Sequence, residues 1–181
     1  MREIDYEYIA ANISTLTRIP VRVYQNSKLV IYCDPTSFPK DPAVLYIDTL
    51  LQIPQEVSYF ISPFEQFYGI VCHRDYRLIL GPTFQMAPSR ETIREFMFLL
   101  GIRKNYLELF QDLLNSITPM PLELFLHELC LIYYFISEKK LGISDAIVYD
   151  SKITDLSAAD YTSPAKTSAF PSAQRKENYE N

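Results

Sequence analysis

Apolar and polar residues alternate between residues 67 and 81, and this pattern predicts a β-hairpin. Side chains one position apart in a strand point to opposite faces, so each half of the run has one apolar face. Arg74 and Asp75 are polar and lie between the two halves, where a turn is expected. Gly81 and Pro82 are expected to end the second strand, because proline has no amide hydrogen for the ladder.

Apolar residues that recur at helical spacing predict helices over residues 4–17, 45–51, 89–100, 104–115 and 121–140. Ser89 is a good N-cap for the third of these helices, and Gly101 is a typical residue for its end. Gly142 is expected to end the last helix. A hairpin that leads into an amphipathic helix is typical of a mixed, layered domain.

Two more alternating runs, residues 21–23 and 29–31, flank Gln25, Asn26 and Ser27 and predict a second hairpin. A further strand is expected over residues 57–61. The order of these elements predicts an α+β fold with an antiparallel sheet and flanking helices.

The composition changes near residue 150, where Ser, Thr, Ala, Pro and Lys come to dominate and the apolar periodicity ends. Such a composition is typical of a linker. We therefore divide the chain into a domain over residues 1–149 and a linker over residues 150–181.

The overall composition excludes several classes of protein. The 181 residues are 48% hydrophobic, which is enough for a core, and the net charge of -5 makes the chain a poor binder of nucleic acid. Three widely spaced cysteines, Cys33, Cys72 and Cys130, argue against a disulfide framework and fit a reducing compartment. No run is long and apolar enough to predict a membrane span, and no signal-peptide pattern is present.

The residues give little support to an enzyme. The four glycines are far apart, which excludes a P-loop, a dinucleotide-binding fingerprint and a nucleophile elbow. Cys72 and His73 are adjacent on a predicted strand and therefore point to opposite faces. His127 shares no motif spacing with His73. We predict no catalytic residue, no metal and no cofactor.

The aromatic residues on the predicted strands are the main candidates for binding. They outnumber what a small core needs, and a pocket against the sheet with a few phenolic hydroxyls would suit a small ligand. Packing within the sheet remains the other interpretation. The candidate ligand-binding residues are Tyr24, Tyr32, Tyr59, Tyr68, Tyr76 and Arg77.

The last predicted helix is apolar on nearly all sides, although a helix covered by one neighbour needs only one apolar stripe. It is therefore either a central helix or a subunit interface. In the second case we expect Leu126, Tyr133 and Tyr134 to lie in a dimer interface.

Four stretches of the chain have a recognisable pattern and order. They read ISTLTRIPVRVYQNSKLVIYCDP, YRLILGPTFQMAPSRETIREFMFLLGI, LELFLHELCLIYYFISEKKLGISDAI and QRKENYEN. These stretches resemble the sensor domains of AraC/XylS-type bacterial transcription regulators. The resemblance covers most of residues 8–149 and the last few residues.

The resemblance implies a PAS/GAF-like fold in a cytoplasmic bacterial protein, and it implies that this chain binds a small-molecule effector, pairs with itself as a homodimer, or does both. That family binds DNA through a pair of helix-turn-helix units, which would follow Asn181, so DNA is expected as a partner only through that missing half. No binding residue of the family can be assigned to this chain. A purely structural or oligomerisation domain without a ligand, and an enzyme of an unfamiliar type, remain the competing hypotheses.

Overall fold

The computed structural model describes residues 4–117 and 119–150, and the predicted linker lies outside them except for residue 150. The predicted α+β class is confirmed: a six-stranded sheet is flanked by helices, consistent with a PAS/GAF-like arrangement. The strands are β1 (Val21–Gln25), β2 (Lys28–Cys33), β3 (Val57–Ile61), β4 (Gln66–His73), β5 (Tyr76–Phe84) and β6 (Ile147–Asp150). The α-helices are α1 (Tyr6–Thr17), α2 (Ile47–Gln52), α3 (Arg90–Leu99), α4 (Leu107–Ser116) and α5 (Leu122–Ser137), with short 3-10 turns at Pro42–Leu45, Lys104–Tyr106 and Ile143–Asp145.

The sheet is mixed rather than wholly antiparallel, with the strand order β2-β1-β5-β4-β3-β6. The first five strands pair antiparallel, but β6 runs parallel to β3, with Tyr59 opposite Val148. The sequence did not predict β6, because four residues carry no clear alternation. Its final residue, Asp150, belongs to this strand and not to a loop.

Local chemistry explains the first helix and the first hairpin. The carboxylate of Asp5 accepts a hydrogen bond from the backbone N–H of Tyr8, so it caps α1. Asn26 and Ser27 join β1 to β2, and both have positive φ angles, 48° and 64°. Two successive positive φ angles are typical of a type I′ turn, whose twist matches that of the flanking strands.

The predicted end of β5 at Gly81 and Pro82 was wrong, because the strand continues to Phe84. The register shifts between Phe67 and Gly69 on β4, where Phe67 pairs with Thr83 but Gly69 pairs with Leu80. This irregularity places the proline where the ladder is already interrupted. Its missing N–H therefore removes no regular strand-to-strand hydrogen bond.

The predicted end of α5 at Gly142 was also wrong. The helix ends at Ser137, and Glu138 follows in the left-handed region with φ 60°. The backbone N–H of Glu138 still donates to the carbonyl oxygen of Tyr134. The left-handed residue that ends a helix is usually glycine, but here it is a glutamate, so the position of Gly142 did not mark the helix end.

The sheet separates two apolar clusters. On one side, which we call the helical face, the sheet packs against α1, α3, α4 and α5. On the other side, the α2 face, it packs against α2 and the preceding 3-10 turn. Within the described part of the chain, no helix has the length and hydropathy needed to cross a membrane.

Candidate functional site

An ion pair between a buried arginine and a partly exposed aspartate, Arg22 and Asp41, lies on the α2 face. Alternation along β1 points Arg22 away from its apolar neighbours on the helical face, and its side chain is fully buried. Its guanidinium donates to both carboxylate oxygens of Asp41, with 2.6 Å from Nε to Oδ2, and its Nη1 donates to the carbonyl oxygen of Gly81 at 2.7 Å. Burial opposes the charge of Arg22, but the hydrogen bond and charge of Asp41 outweigh it and raise the pKa of Arg22. The charge is therefore held in place by three hydrogen bonds.

Two predicted ligand-binding tyrosines lie near this arginine, Tyr32, which is 41% exposed, and Tyr68, which is buried. The ring of Tyr32 lies 5.2 Å from the guanidinium carbon of Arg22, a cation–π distance. Tyr68 is fully buried, its hydroxyl donates to Oε1 of Gln66 at 3.1 Å, and burial raises its pKa well above the usual value. Both phenols are neutral and already have partners. Their contacts are with the protein itself.

Aromatic rings fill the space between the sheet and α2. The ring centroid of Tyr46 lies 5.2 Å from that of Phe60 and 5.6 Å from that of Tyr68. Phe60 and Tyr68 are themselves 6.3 Å apart. These separations are those of packed aromatic pairs. The packing interpretation therefore describes this part of the sheet better than an open pocket.

Tyr24 and Arg77 line a small cavity where the β1–β2 and β4–β5 turns meet. Its volume is about 130 Å³, below the 300 to 1,000 Å³ usual for small-molecule sites. Arg77 is also occupied, since its Nε donates to Sγ of Cys72 at 3.2 Å and its Nη1 to the carbonyl oxygen of Leu50 at 3.3 Å. This cavity has room for a small ion but not for an effector of ordinary size.

The two remaining candidates, Tyr59 and Tyr76, lie on the helical face. Tyr76 stacks on Tyr6 of α1, with ring centroids 4.0 Å apart and planes inclined by 17°. Tyr59 packs against the main core. The six predicted residues therefore do not converge on one site, because their positions in the strands alternate between the two faces.

The predicted interface residues on α5 also divide. Tyr133 points into the core and is buried, and a hydrogen bond joins its side chain to Glu56. Leu126 is partly buried against the same core. Tyr134 is exposed on the opposite side of the helix. Of the three, Tyr134 is the residue best placed to meet a partner.

An apolar stripe runs along the outer side of α5. Its members are spaced as neighbours on one helical face, and their exposed fractions lie between 40% and 62%. This outer stripe consists of Leu124, Leu131, Tyr134 and Phe135. A shallow depression of about 320 Å³ extends it towards Lys140 and Leu141. Large apolar side chains grouped in this way are typical of an interaction surface.

Glu128 lies on the flank of this stripe and has an unusual environment. Both of its carboxylate oxygens are inaccessible to water and make no hydrogen bond with the described residues. Burial raises its pKa from 4.5 to about 7. The sequence offered one signal for this environment, a carboxylate inside an otherwise apolar helix.

A groove lies between α3 and α4, and the sequence analysis did not find it. Its volume is about 480 Å³, and its lining consists of Arg94, Met97, Phe98, Ile102, Lys104 and Leu107. These side chains come from two helices and the turn between them, so no single stretch reveals the groove. The sequence held one signal of it. Two apolar residues at the end of α3, Phe98 and Leu99, lie outside the apolar stripe that packs into the core.

The end of α3 builds this groove. Gly101 has a φ of 68°, and the backbone N–H of Ile102 donates to the carbonyl oxygen of Met97 at 2.9 Å. This is a Schellman motif, which brings the residue after the glycine against the last helical turn. Lys40 donates from Nζ to the carbonyl oxygen of Leu100 at 2.8 Å and secures the same end. The floor of the groove is thus fixed by the helix cap.

No group of three His, Cys, Asp or Glu side chains in residues 4–117 and 119–150 is arranged to hold a metal ion. Burial raises the pKa of the Cys72 thiol, although Arg77 opposes this, and burial lowers the pKa of His73. A protonated thiol is a weak nucleophile.

No protein-family model, no curated protein and no solved structure matches the chain.

Proposed function

We propose that this chain is the non-catalytic regulatory part of a cytoplasmic bacterial transcription regulator of the AraC/XylS type, and that it pairs with a second copy through α5. The resemblance over most of residues 8–149 supports the class. In this proposal DNA is bound by the helix-turn-helix half that would follow Asn181. The chain itself supplies regulation.

The outer stripe of α5 is the observation that carries the pairing. Leu124 and Leu131 are seven residues apart, and Tyr134 and Phe135 follow at the next turn. This spacing produces the seam along which two helices pack. The stripe spans about 16 Å of helix at 1.5 Å per residue. In a twofold dimer the same patch is used by both copies, so one apolar stripe is sufficient.

Light scattering coupled to size-exclusion chromatography tests the pairing. We expect the chain to run at twice its mass of 21.1 kDa at high concentration. Leu131→Glu and Tyr134→Glu should each weaken self-association about tenfold or more, because each places a carboxylate in an apolar seam.

Leu16→Glu is the matched control, since Leu16 is 82% exposed on α1, outside the stripe. This variant should dimerise as the wild type does. A wild-type chain that is monomeric at every concentration would exclude the pairing, and so would Leu131→Glu dimers of unchanged affinity.

Sensing of a small-molecule effector is the second candidate function. The groove between α3 and α4 favours it, because its volume of about 480 Å³ is in the range of small-molecule sites and its lining is mainly apolar. The predicted aromatic set lies mainly in packed regions and gives this function less support.

A further inference from the structure

The groove between α3 and α4 joins an apolar floor to a basic rim. Met97, Phe98, Ile102 and Leu107 provide the apolar surface, and Phe98 is 79% exposed. An aromatic side chain left this open beside a concave surface can cover the apolar body of a ligand.

Two positively charged side chains line the groove beside this apolar surface. Arg94 projects from α3 and Lys104 from the turn before α4, and neither forms an ion pair within the described residues. The chain as a whole is acidic, with a net charge of -5. Two cations directed at one groove on an acidic protein therefore give this site a local charge opposite to that of the molecule. That charge favours an anionic group.

The size of the groove favours a small molecule over a protein. Six of the described residues line it, whereas a stable protein–protein interface uses about 20 to 30 residues on each side. Its volume is sufficient for one amphiphile of moderate length.

We propose that the groove between α3 and α4 binds a small anionic amphiphile, with its alkyl or aryl body on Met97, Phe98 and Leu107 and its carboxylate or phosphate head between Arg94 and Lys104. This inference rests on the effector-sensing part of the proposed function and does not depend on pairing through α5. Arginine and lysine both bind carboxylates and phosphates through charge-assisted hydrogen bonds.

Isothermal titration of the full chain with laurate, kept below its micelle-forming concentration, tests the site. We expect saturable binding of one laurate per chain. Dodecyltrimethylammonium has the same alkyl length and the opposite charge, and it should bind at least about tenfold more weakly. Monododecyl phosphate serves as a second arm that distinguishes a phosphate head from a carboxylate head.

Charge-removing variants locate the head group. Arg94→Gln and Lys104→Gln should each weaken laurate binding about threefold or more, and the double variant about tenfold or more. Both side chains are exposed, so the variants are expected to fold. Lys28→Gln removes an exposed cation from β2 and should leave the affinity within about twofold, which controls for the change in net charge.

Unchanged laurate binding by the double variant would overturn the inference, as would equal binding of the cationic amphiphile. Binding of an acidic amphipathic peptide where laurate fails would assign the groove to a protein partner instead. If light scattering shows that the double variant no longer dimerises, the groove is instead a contact surface for a second copy of the chain. A chain that pairs normally but binds no laurate would overturn this inference and leave the pairing intact.

Discussion

At the scale of single residues, two ionisable side chains in the described part of the chain have buried charged groups, Arg22 and Glu128. Their environments are opposite. Arg22 makes three hydrogen bonds, whereas the carboxylate of Glu128 makes none with the described residues. A buried charge with a partner is tolerated, but an unpaired one is destabilising and tends to take up or lose a proton. The environments of Arg22 and Glu128 therefore lead to two different predictions about the stability of the protein.

Removing the partner of Arg22 should destabilise the fold strongly. Asp41→Asn retains a side chain that can accept a hydrogen bond from the N–H of Ala43 but leaves the guanidinium buried without a counter-charge. We expect a loss of about 2 to 4 kcal/mol in the free energy of unfolding, measured by urea denaturation with circular dichroism, since the chain has no tryptophan.

The exposed ion pair between Lys139 and Glu56 is the control for this measurement. Its atoms are 3.5 Å apart, and both side chains are more than half exposed. Lys139→Ala should change stability by less than about 1 kcal/mol. Equal effects of Asp41→Asn and Lys139→Ala would show that the pair of Arg22 and Asp41 contributes no more than a surface pair.

Glu128 should make the stability of the protein depend on pH. Its pKa is raised to about 7 in the folded chain, from an ordinary value of 4.5, so between these pH values the folded chain holds a proton that the unfolded chain has lost. The contribution of Glu128 to the free energy of unfolding therefore falls as pH rises through this window, by about 3 kcal/mol in all.

Glu128→Gln should remove this decline and make the protein more stable than the wild type above pH 7. Glu123→Gln is the matched control, because Glu123 is an exposed carboxylate on the same helix. Denaturation curves collected from pH 4.5 to pH 8 check the prediction. If Glu128→Gln and the wild type lose stability in parallel, the carboxylate is not the titrating group.

At the scale of elements, β4 and α5 approach each other closely at Gly69 in the core. A Cβ atom added at Gly69 would lie 2.4 Å from Cδ2 of Leu129 and 2.8 Å from Cζ of Phe125. A side chain at this position would force Leu129 or Phe125 to move, so glycine suits the position because of the space it leaves and not because of its backbone freedom. The absence of one side chain lets the longest described helix lie directly on the sheet.

Gly69→Ala should destabilise the protein by about 1 to 3 kcal/mol, because the added methyl group over-packs the core. Thermal or urea denaturation measures the loss. Combining it with Leu129→Ala, which opens space at the point of collision, should cost less than the sum of the two single changes. Strictly additive losses would mean that the two positions do not collide.

At the scale of the whole molecule, the sequence predicted what local patterns determine. The β4–β5 hairpin and the cap at Ser89 depend on neighbouring residues, and the structure confirms both, although the two strands are largely buried on both faces rather than on one. The parallel strand β6 was missed because it pairs with β3, about 90 residues away, and a four-residue strand has little pattern of its own.

The candidate sites were harder to predict for a related reason. The sequence correctly showed an excess of aromatic residues, but it could not show that Tyr68 and Tyr76 lie on opposite faces of one sheet until the strand boundaries were known. The groove between α3 and α4 depends on how two helices meet. Surfaces that join distant residues therefore need the fold, whereas caps and turns do not.

The three hydrogen bonds of Arg22 also restrict how this sequence can diverge. Lysine presents one ammonium group and cannot reproduce a planar fork that meets two carboxylate oxygens and a carbonyl at once. We therefore expect positions 22 and 41 to vary together among descendants of a common ancestor, with the pair either kept or replaced jointly by apolar side chains of similar volume.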